Sequence, residues 1–435
     1  MLIDATTPRG RKALAALFET RSSPDFAALI DALPIVDAVL CGGRAALRRK
    51  VAELDGEAPR SLVVKPTKGV PADPKFVAAF RLAASRIAAY HERQKPKGFR
   101  FRDAAGVSFV EVPTPHAAVG VYVPGGRAFY PSSLMMGVVP AKVAGVPRIV
   151  VATPPRAYRE SAELRWAIGE LGVTEVLLAG GAHGIAGLVS VMGCTKIVGP
   201  GNRWVAAAKH LVSGLVSVDL PAGPSEVLIL ASDDAAPALL AADLLAQAEH
   251  DPEAVCLLFT TSRRLADETL KLCGEERASR DVSAHHARSP RGSGLAVREV
   301  SDGRKVSNVR QVQAFLFDSL GAAAAAAERV AIEHLQLIGR QAEALAPRLL
   351  ATAGAVFVGA NTPTAFGDYL AGPNHVLPTG GAARSFSGLA TRDFYRYGRS
   401  VAFSAKAARA LAGPAAELAR FEGLVAHETS LRLRS

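Results

Sequence analysis

The stretch Val119–Pro155, VGVYVPGGRAFYPSSLMMGVVPAKVAGVPRIVVATPP, decides the fold class. A short β-branched run (VGVYV) enters a turn marked by Pro124, Gly125 and Gly126. A helix-length run of small and apolar residues follows Pro131, and a second β-branched run (RIVVAT) stops at Pro154. Short strands that are apolar throughout and separated by helices point to parallel pairing. A parallel sheet is buried on both faces and needs a long crossover between neighbouring strands. The alternation continues outward through TEVLLAGG, GIAGLVSVM, TKIVGPGN and WVAAAKHLVS. It resumes with SEVLILAS, a helix at 234–248, AVCLLFTTS, a helix at 263–274, AFLFDSL, the alanine run 322–327 and GAVFVGAN. Residues 1–60 and 74–94 carry apolar positions every three or four residues and read as helical, as do the last forty. The segment 275–313, rich in Arg, Ser, His and Gly, holds no period and reads as an exposed loop or poorly ordered insertion. No repeat of fixed period is present. The expected class is α/β with parallel sheets.

Composition narrows the functions. A chain of 435 residues suggests two to four domains at roughly 100–200 residues each. With 49% hydrophobic and 21% charged residues, disorder and collagen-like structure are excluded for the chain as a whole. Without a run of about 18 consecutive apolar residues, no spanning helix and no membrane partner are expected. The start, MLIDATTPRGRKALAALFET, lacks the features of a signal peptide, so a cytoplasmic location is expected. Cys41, Cys194, Cys256 and Cys273 form no CxxC pair and read as reduced thiols. The net charge of +11 comes from Arg and Lys spread along helical segments, without RNP-like or zinc-finger spacing. It reads as a solvated surface, not a nucleic-acid site.

Three Gly-rich turns follow strands: VPGGRAFYPSS, LLAGGAHGIAGL and KIVGPGN. None is a GxGxxG with an acid some twenty residues on, yet each precedes a helix whose first N–H groups can cradle phosphate. Plain structural turns fit them as well. Gln247 and His250, three apart on one helix, suit a borderline metal such as zinc or a simple helix-surface pair. Glu333 and His334, read at the end of the alanine-rich helix, offer two proton carriers or a charged helix terminus. Asp368 and His375 lie in a loop, 361–395, too long to be a simple connector. Glu422 and His427 lie five apart in what reads as one terminal helix. They suit a contact to a neighbouring subunit or a solvated face.

Seven motifs occur in the order found in histidinol dehydrogenases, which the chain resembles from about residue 80 onward: VYVPGG with YPSSLMM, KIVGPGN with VAAAKHLV, DLPAGPSEVLI, DLLAQAEHDPEA, EHLQL, GDYLAGPNHVLPTGG and EGLVAH. The resemblance implies oxidation of L-histidinol to L-histidine in two NAD-dependent steps through an enzyme-held aldehyde, a reaction of histidine biosynthesis. It implies one zinc per subunit on Gln247, His250, Asp368 and His427. The last would come from the partner chain of an intertwined homodimer. Glu333 and His334 match the acid–base pair. Ser225, His375 and Glu422, together with the zinc ligands and His334, match substrate-contacting positions, and Tyr122, His183 and Asn202 match cofactor-contacting ones. The implied fold is two incomplete Rossmann-like domains, one interrupting the other, with small terminal segments. The expected boundaries are 1–20 (helical), 21–121 and 227–389 (one large domain, with the 275–313 insertion), 122–226 (the second domain) and 390–435 (a helical dimerisation segment).

In such a site zinc chelates the substrate's imidazole and amino nitrogens, His334 takes the alcohol proton, and Glu333 activates water for the second oxidation. The four cysteines fall outside the motifs, which argues against a thiohemiacetal route. Three positions depart from the family: His183 stands for a cofactor-contacting glutamine, Ile332 for a proline before the acid–base pair, and Thr364 for a frequent glutamate. The alternatives are a paralogue acting on another polar alcohol, or a non-catalytic scaffold.

Overall fold

The computed structural model describes residues 1–19, 25–56, 59–67, 69–125, 130–219, 223–249, 252–286 and 312–434. The chain opens with β1 (Leu2–Asp4), α1 (Pro8–Glu19), α2 (Phe26–Leu54), β2 (Val63–Val64), α3 (Pro74–Glu92), β3 (Phe99–Arg102) and β4 (Val107–Pro115). A first alternating region holds β5 (Val119–Tyr122), α4 (Pro131–Val143), β6 (Ile149–Thr153), α5 (Pro155–Glu160), α6 (Ala162–Glu170), β7 (Glu175–Leu178), α7 (Gly181–Ser190), β8 (Lys196–Val198), α8 (Arg203–Val212) and β9 (Ser217–Val218). A second holds β10 (Glu226–Ala231), α9 (Pro237–Ala248), β11 (Val255–Thr260), α10 (Arg263–His286), β12 (Val312–Leu316), α11 (Leu320–Val330), β13 (His334–Ile338), α12 (Arg340–Glu343), α13 (Ala346–Leu349) and β14 (Ala355–Val358). The chain closes with α14 (Ala365–Tyr369), β15 (Tyr395–Phe403), α15 (Ala405–Phe421) and α16 (Val425–Arg432).

The two alternating regions make two six-stranded sheets of matching order, β2-β7-β6-β5-β8-β9 and β1-β12-β11-β10-β13-β14. In each, three strands step outward and the fourth returns to the other side of the first. The order therefore reverses between β5 and β8, and again between β10 and β13. Every pair is parallel except β2 with β7. Period-two alternation serves both faces of each sheet. Val119, Val121, Ile149 and Val151 enter one core, and Tyr122, Val150, Ala152 and Leu177 the opposite one. Leu228, Leu230 and Phe259 face away from Val227, Ile229 and Leu258 in the same way. A third, antiparallel sheet runs β15-β4-β3.

Several elements differ from the sequence reading. Residues 2–4, read as helical, form β1 and extend the second sheet beside β12. The expected boundary at 121/122 falls inside β5, and β2 pairs within the first sheet. α2 packs on α7 and α8 there, kinked at Gly43 with φ 54°. By length and composition α2 is apolar enough to cross a membrane, contrary to the expectation from apolar runs. Here it buries Ala28, Ala32, Val36, Val39 and Leu47 in the first sheet's core. α10 continues past 274 to His286, and residues 287–311 lie outside the described ones. Residues 395–403, expected to be helical, form β15, which pairs antiparallel along the length of β4. The single terminal helix is two, α15 and α16, broken at Gly423 with φ 72°.

Candidate active site

Helix α11 stops at Ala331, which adopts a left-handed conformation at φ 49°. The chain passes directly into β13, so Glu333 and His334 stand at the entry of a buried strand and not at a helix end. Ile332 is buried in the apolar core, so packing holds this position. Glu333 and His334 are 5% and 6% exposed, and a buried polar pair needs partners. Glu226, at the start of the adjacent β10, supplies them through its backbone. Its N–H donates to Glu333 Oε2 at 2.8 Å, and its carbonyl oxygen lies 3.0 Å from His334 Nδ1. A carbonyl only accepts, so Nδ1 carries a proton and Nε2 is the nitrogen left to exchange one. Nδ1 also lies 3.4 Å from Glu333 Oε2. Burial alone pulls the His334 pKa down. The charge and hydrogen bond of Glu333, the charge of Asp368 and the Glu226 carbonyl outweigh it and push the pKa up to about 9. Glu226 was not a sequence candidate, because a backbone role leaves no residue-type signature.

Asp368 sits on α14, a one-turn helix inside the long 361–395 loop, with its Oδ1 3.4 Å from His375 Nδ1. The neighbouring Tyr369 has its pKa raised by burial and by the charges of Asp368, Glu249 and Tyr130. That places α14 beside the C-terminus of α9, where Glu249 is the cap, and beside the connection into α4. Asn374 fastens the same loop to the first sheet's layer by donating to the Met136 carbonyl at 2.8 Å. Gln247, two residues before Glu249, is 4% exposed, and its Nε2 has no partner among the described residues. Ser225, half-buried, precedes Glu226 directly. The contacts thus bring together Glu333, His334, Asp368 and His375, with Gln247 and Ser225 on the adjoining elements. His250 lies outside the described residues. Glu422 caps α15 and His427 lies on α16, both exposed. Among the described residues no three His, Cys, Asp or Glu side chains of one chain converge as a metal-binding group.

On the first sheet, Tyr122 ends β5 and the turn Gly199–Asn202 follows β8, so both border the point where the strand order reverses. Open parallel sheets bind ligands in that crevice, at the carboxyl ends of the strands. The Tyr122 hydroxyl accepts the Gly181 N–H at 2.9 Å, and burial pushes its pKa up to about 12. Asn202 caps α8, its Oδ1 accepting the Val205 N–H at 3.1 Å. His183 lies inside α7, with Nε2 2.9 Å from Asp55 Oδ2, an oxygen that also accepts the Gly180 N–H at 3.0 Å. It therefore ties α7 to the end of α2, while its Nδ1 is buried without a partner among the described residues.

A family model described as histidinol dehydrogenase matches residues 20–435. The chain belongs to that family. A histidinol dehydrogenase of Bradyrhizobium diazoefficiens is 41% identical over 410 residues, covering 92% of this chain and 91% of its own. One of Sulfurimonas denitrificans is 39% identical over 373 residues, covering 83% and 81%. The crystal structure of the histidinol dehydrogenase of Elizabethkingia anophelis superposes with a TM-score of 0.83 at 26% identity, covering 100% of this chain and 97% of that one. As a histidinol dehydrogenase family member, the protein is an oxidoreductase of α/β fold. Cys194, Cys256 and Cys273 are buried, and burial pushes Cys194 and Cys256 up to about 12. The exposed Cys41 is raised by its hydrogen bond to Asp37.

Proposed function

We propose that the protein oxidises L-histidinol to L-histidine through L-histidinaldehyde, reducing two NAD, as a cytoplasmic zinc-dependent homodimer of histidine biosynthesis. The observation that carries this reading is the clamp of Glu226 on Glu333 and His334, which presents a carboxylate and a proton-accepting imidazole side by side. The donor chemistry suits zinc: Gln247 offers a buried amide with an unpaired end, and Asp368 a carboxylate beside the imidazoles of His334 and His375. Gln247, His250 and Asp368 would hold the metal with His427 reaching across from the second subunit. When bound, zinc would fix the imidazole and amino nitrogens of the substrate and so orient its carbinol carbon. Tyr122, Asn202 and the position of His183 would hold NAD, which would supply the hydride acceptor.

His334 Nε2 takes the hydroxyl proton as the first hydride departs from the carbinol carbon. The resulting imidazolium is stabilised by Glu333, Asp368 and the Glu226 carbonyl; because these groups raise the pKa to about 9, the neutral imidazole that accepts the proton is the minor form near pH 7. Glu333 then removes a proton from water as that water adds to the aldehyde. The hydrate loses the second hydride and a further proton to give the carboxylate. Burial of Cys194, Cys256 and Cys273, and the raised pKa of the exposed Cys41, argue against a thiohemiacetal route. His375 and Ser225 line the substrate side, and Glu422 would reach it from the second subunit. The test is the number of NADH formed per L-histidinol consumed by the zinc-loaded protein. Two supports the reading. One, or none with metal bound, overturns it in favour of a paralogue for another alcohol or a scaffold.

A further inference from the structure

A buried ion pair that the proposed chemistry does not use holds the turn after β8. Lys209 on α8 and Asp219 just after β9 are in direct contact, with side chains 4% and 0% exposed. Lys209 Nζ donates to the Gly199 carbonyl at 2.9 Å, and Asp219 Oδ2 accepts the Gly199 N–H at 2.7 Å. Opposite members of the pair thus take both polar groups of one glycine. Gly199 has φ 121°, and a methyl group there would lie 2.2 Å from the Tyr122 carbonyl oxygen. The turn is therefore pressed onto the end of β5 at the reversal of strand order. A second buried lysine, Lys196 on β8, donates to Ser217 Oγ at 3.2 Å and the Val218 carbonyl at 2.9 Å. Its ammonium feels both members of the pair, so the pair also balances local charge.

Buried ion pairs are poor stabilisers, because desolvation offsets their attraction and apolar replacements are often neutral or better. What this pair does uniquely is fix one backbone unit. We propose that Lys209 and Asp219 are positioning residues for the dinucleotide: by clamping Gly199 against Tyr122 they set the Gly199–Asn202 turn that borders the cofactor crevice. This rests on the NAD reading above. A binding turn must be held to within about 0.5 Å to keep its affinity, which a clamp on both N–H and C=O provides.

The experiment is calorimetric titration of NAD into the purified, zinc-loaded protein and its variants, with melting temperature and bound zinc measured in parallel. Lys209→Met/Asp219→Leu removes both charges together and leaves neither stranded. It is expected to fold and keep its zinc with a lowered melting temperature, because the buried Gly199 N–H and C=O lose their partners, to bind NAD at least tenfold more weakly, and to raise the KM for NAD while the KM for histidinol holds. Gly199→Ala, which keeps the pair but displaces the turn, should show the same loss and serves if the double variant does not fold. Wild-type NAD affinity in either folded variant overturns the proposal alone. Failure of the unaltered protein to bind NAD overturns the cofactor reading and this one with it.

Discussion

At Glu226 one residue's backbone serves both members of the proposed acid–base pair, so its effect is independent of its side chain but sensitive to strand register. The two members then have separable duties. Glu333→Gln keeps an acceptor for the Glu226 N–H but cannot remove a proton from water. We expect the second oxidation to slow by about 10²-fold or more, and the first by less. Stopped-flow NADH formation, with L-histidinol and then L-histidinaldehyde as substrate, separates the steps; equal slowing would refute the division of roles. Next to the pair, Ala331 holds a left-handed conformation that costs a non-glycine residue about 1–2 kcal/mol. Ala331→Gly should match or exceed the parent in stability, whereas Ala331→Val should lose about 1–3 kcal/mol. Denaturant midpoints test both, and a less stable glycine variant would show that the buried methyl outweighs the strain. Nothing in the sequence around Ala331 signals this turn, since neither Gly nor Asn marks it. That is why Glu333 and His334 were recognisable as residues while their place on a strand was not.

Elements buried on two faces were legible and exposed ones were not. β5, β6, β7, β10 and β11 are continuous apolar runs because parallel strands meet packing on both sides. β3, with four exposed residues alternating Phe and Arg, and β15, largely exposed, carry no such run and pair by register alone. The functional loop 361–395 was legible as long and polar, but not its anchors, which are contacts distant in sequence. One anchor is His91 at the end of α3, whose Nδ1 lies 3.1 Å from Thr391 Oγ1. Burial depresses the His91 pKa to about 4, and burial with nearby Lys196 and Arg396 depresses His116 likewise to about 4. In the unfolded chain both titrate near about 6.5. Between those values the unfolded state binds more protons, so this stabilisation is full above about pH 6.5 and is lost as pH falls toward 4. Melting temperature should drop over that window, and His91→Asn should drop less steeply. Parallel curves for variant and parent would show that His91 contributes nothing to the acid sensitivity.

Across the whole molecule, two sheets of one strand order carry two halves of one task. The carboxyl ends of β5 and β8 border the proposed cofactor crevice, while the amino ends of β10 and β13 hold Glu333 and His334, the proposed acid–base pair. The duplication of order was invisible as a sequence period because the crossovers differ in length and composition. His427 and Glu422, exposed on α16 and at the end of α15, join neither half within the chain's described contacts. The exposed Leu418, Phe421 and Val425 on the same two helices, with Leu433 capping α16, present apolar area that a second subunit would cover. If His427 serves the opposite subunit's site, a His334→Ala chain paired with a His427→Ala chain builds one site with both defects and one with neither. Each homodimer should be inactive, and the mixed dimer should recover activity at one site of two, about half of the parent dimer. Differently tagged chains, co-expressed and isolated as heterodimers, give the measurement. Recovery near half with both homodimers inactive would place His427 across the interface, inactive heterodimers of proven composition would place it in its own chain's site, and an active His427→Ala homodimer would place it outside any site.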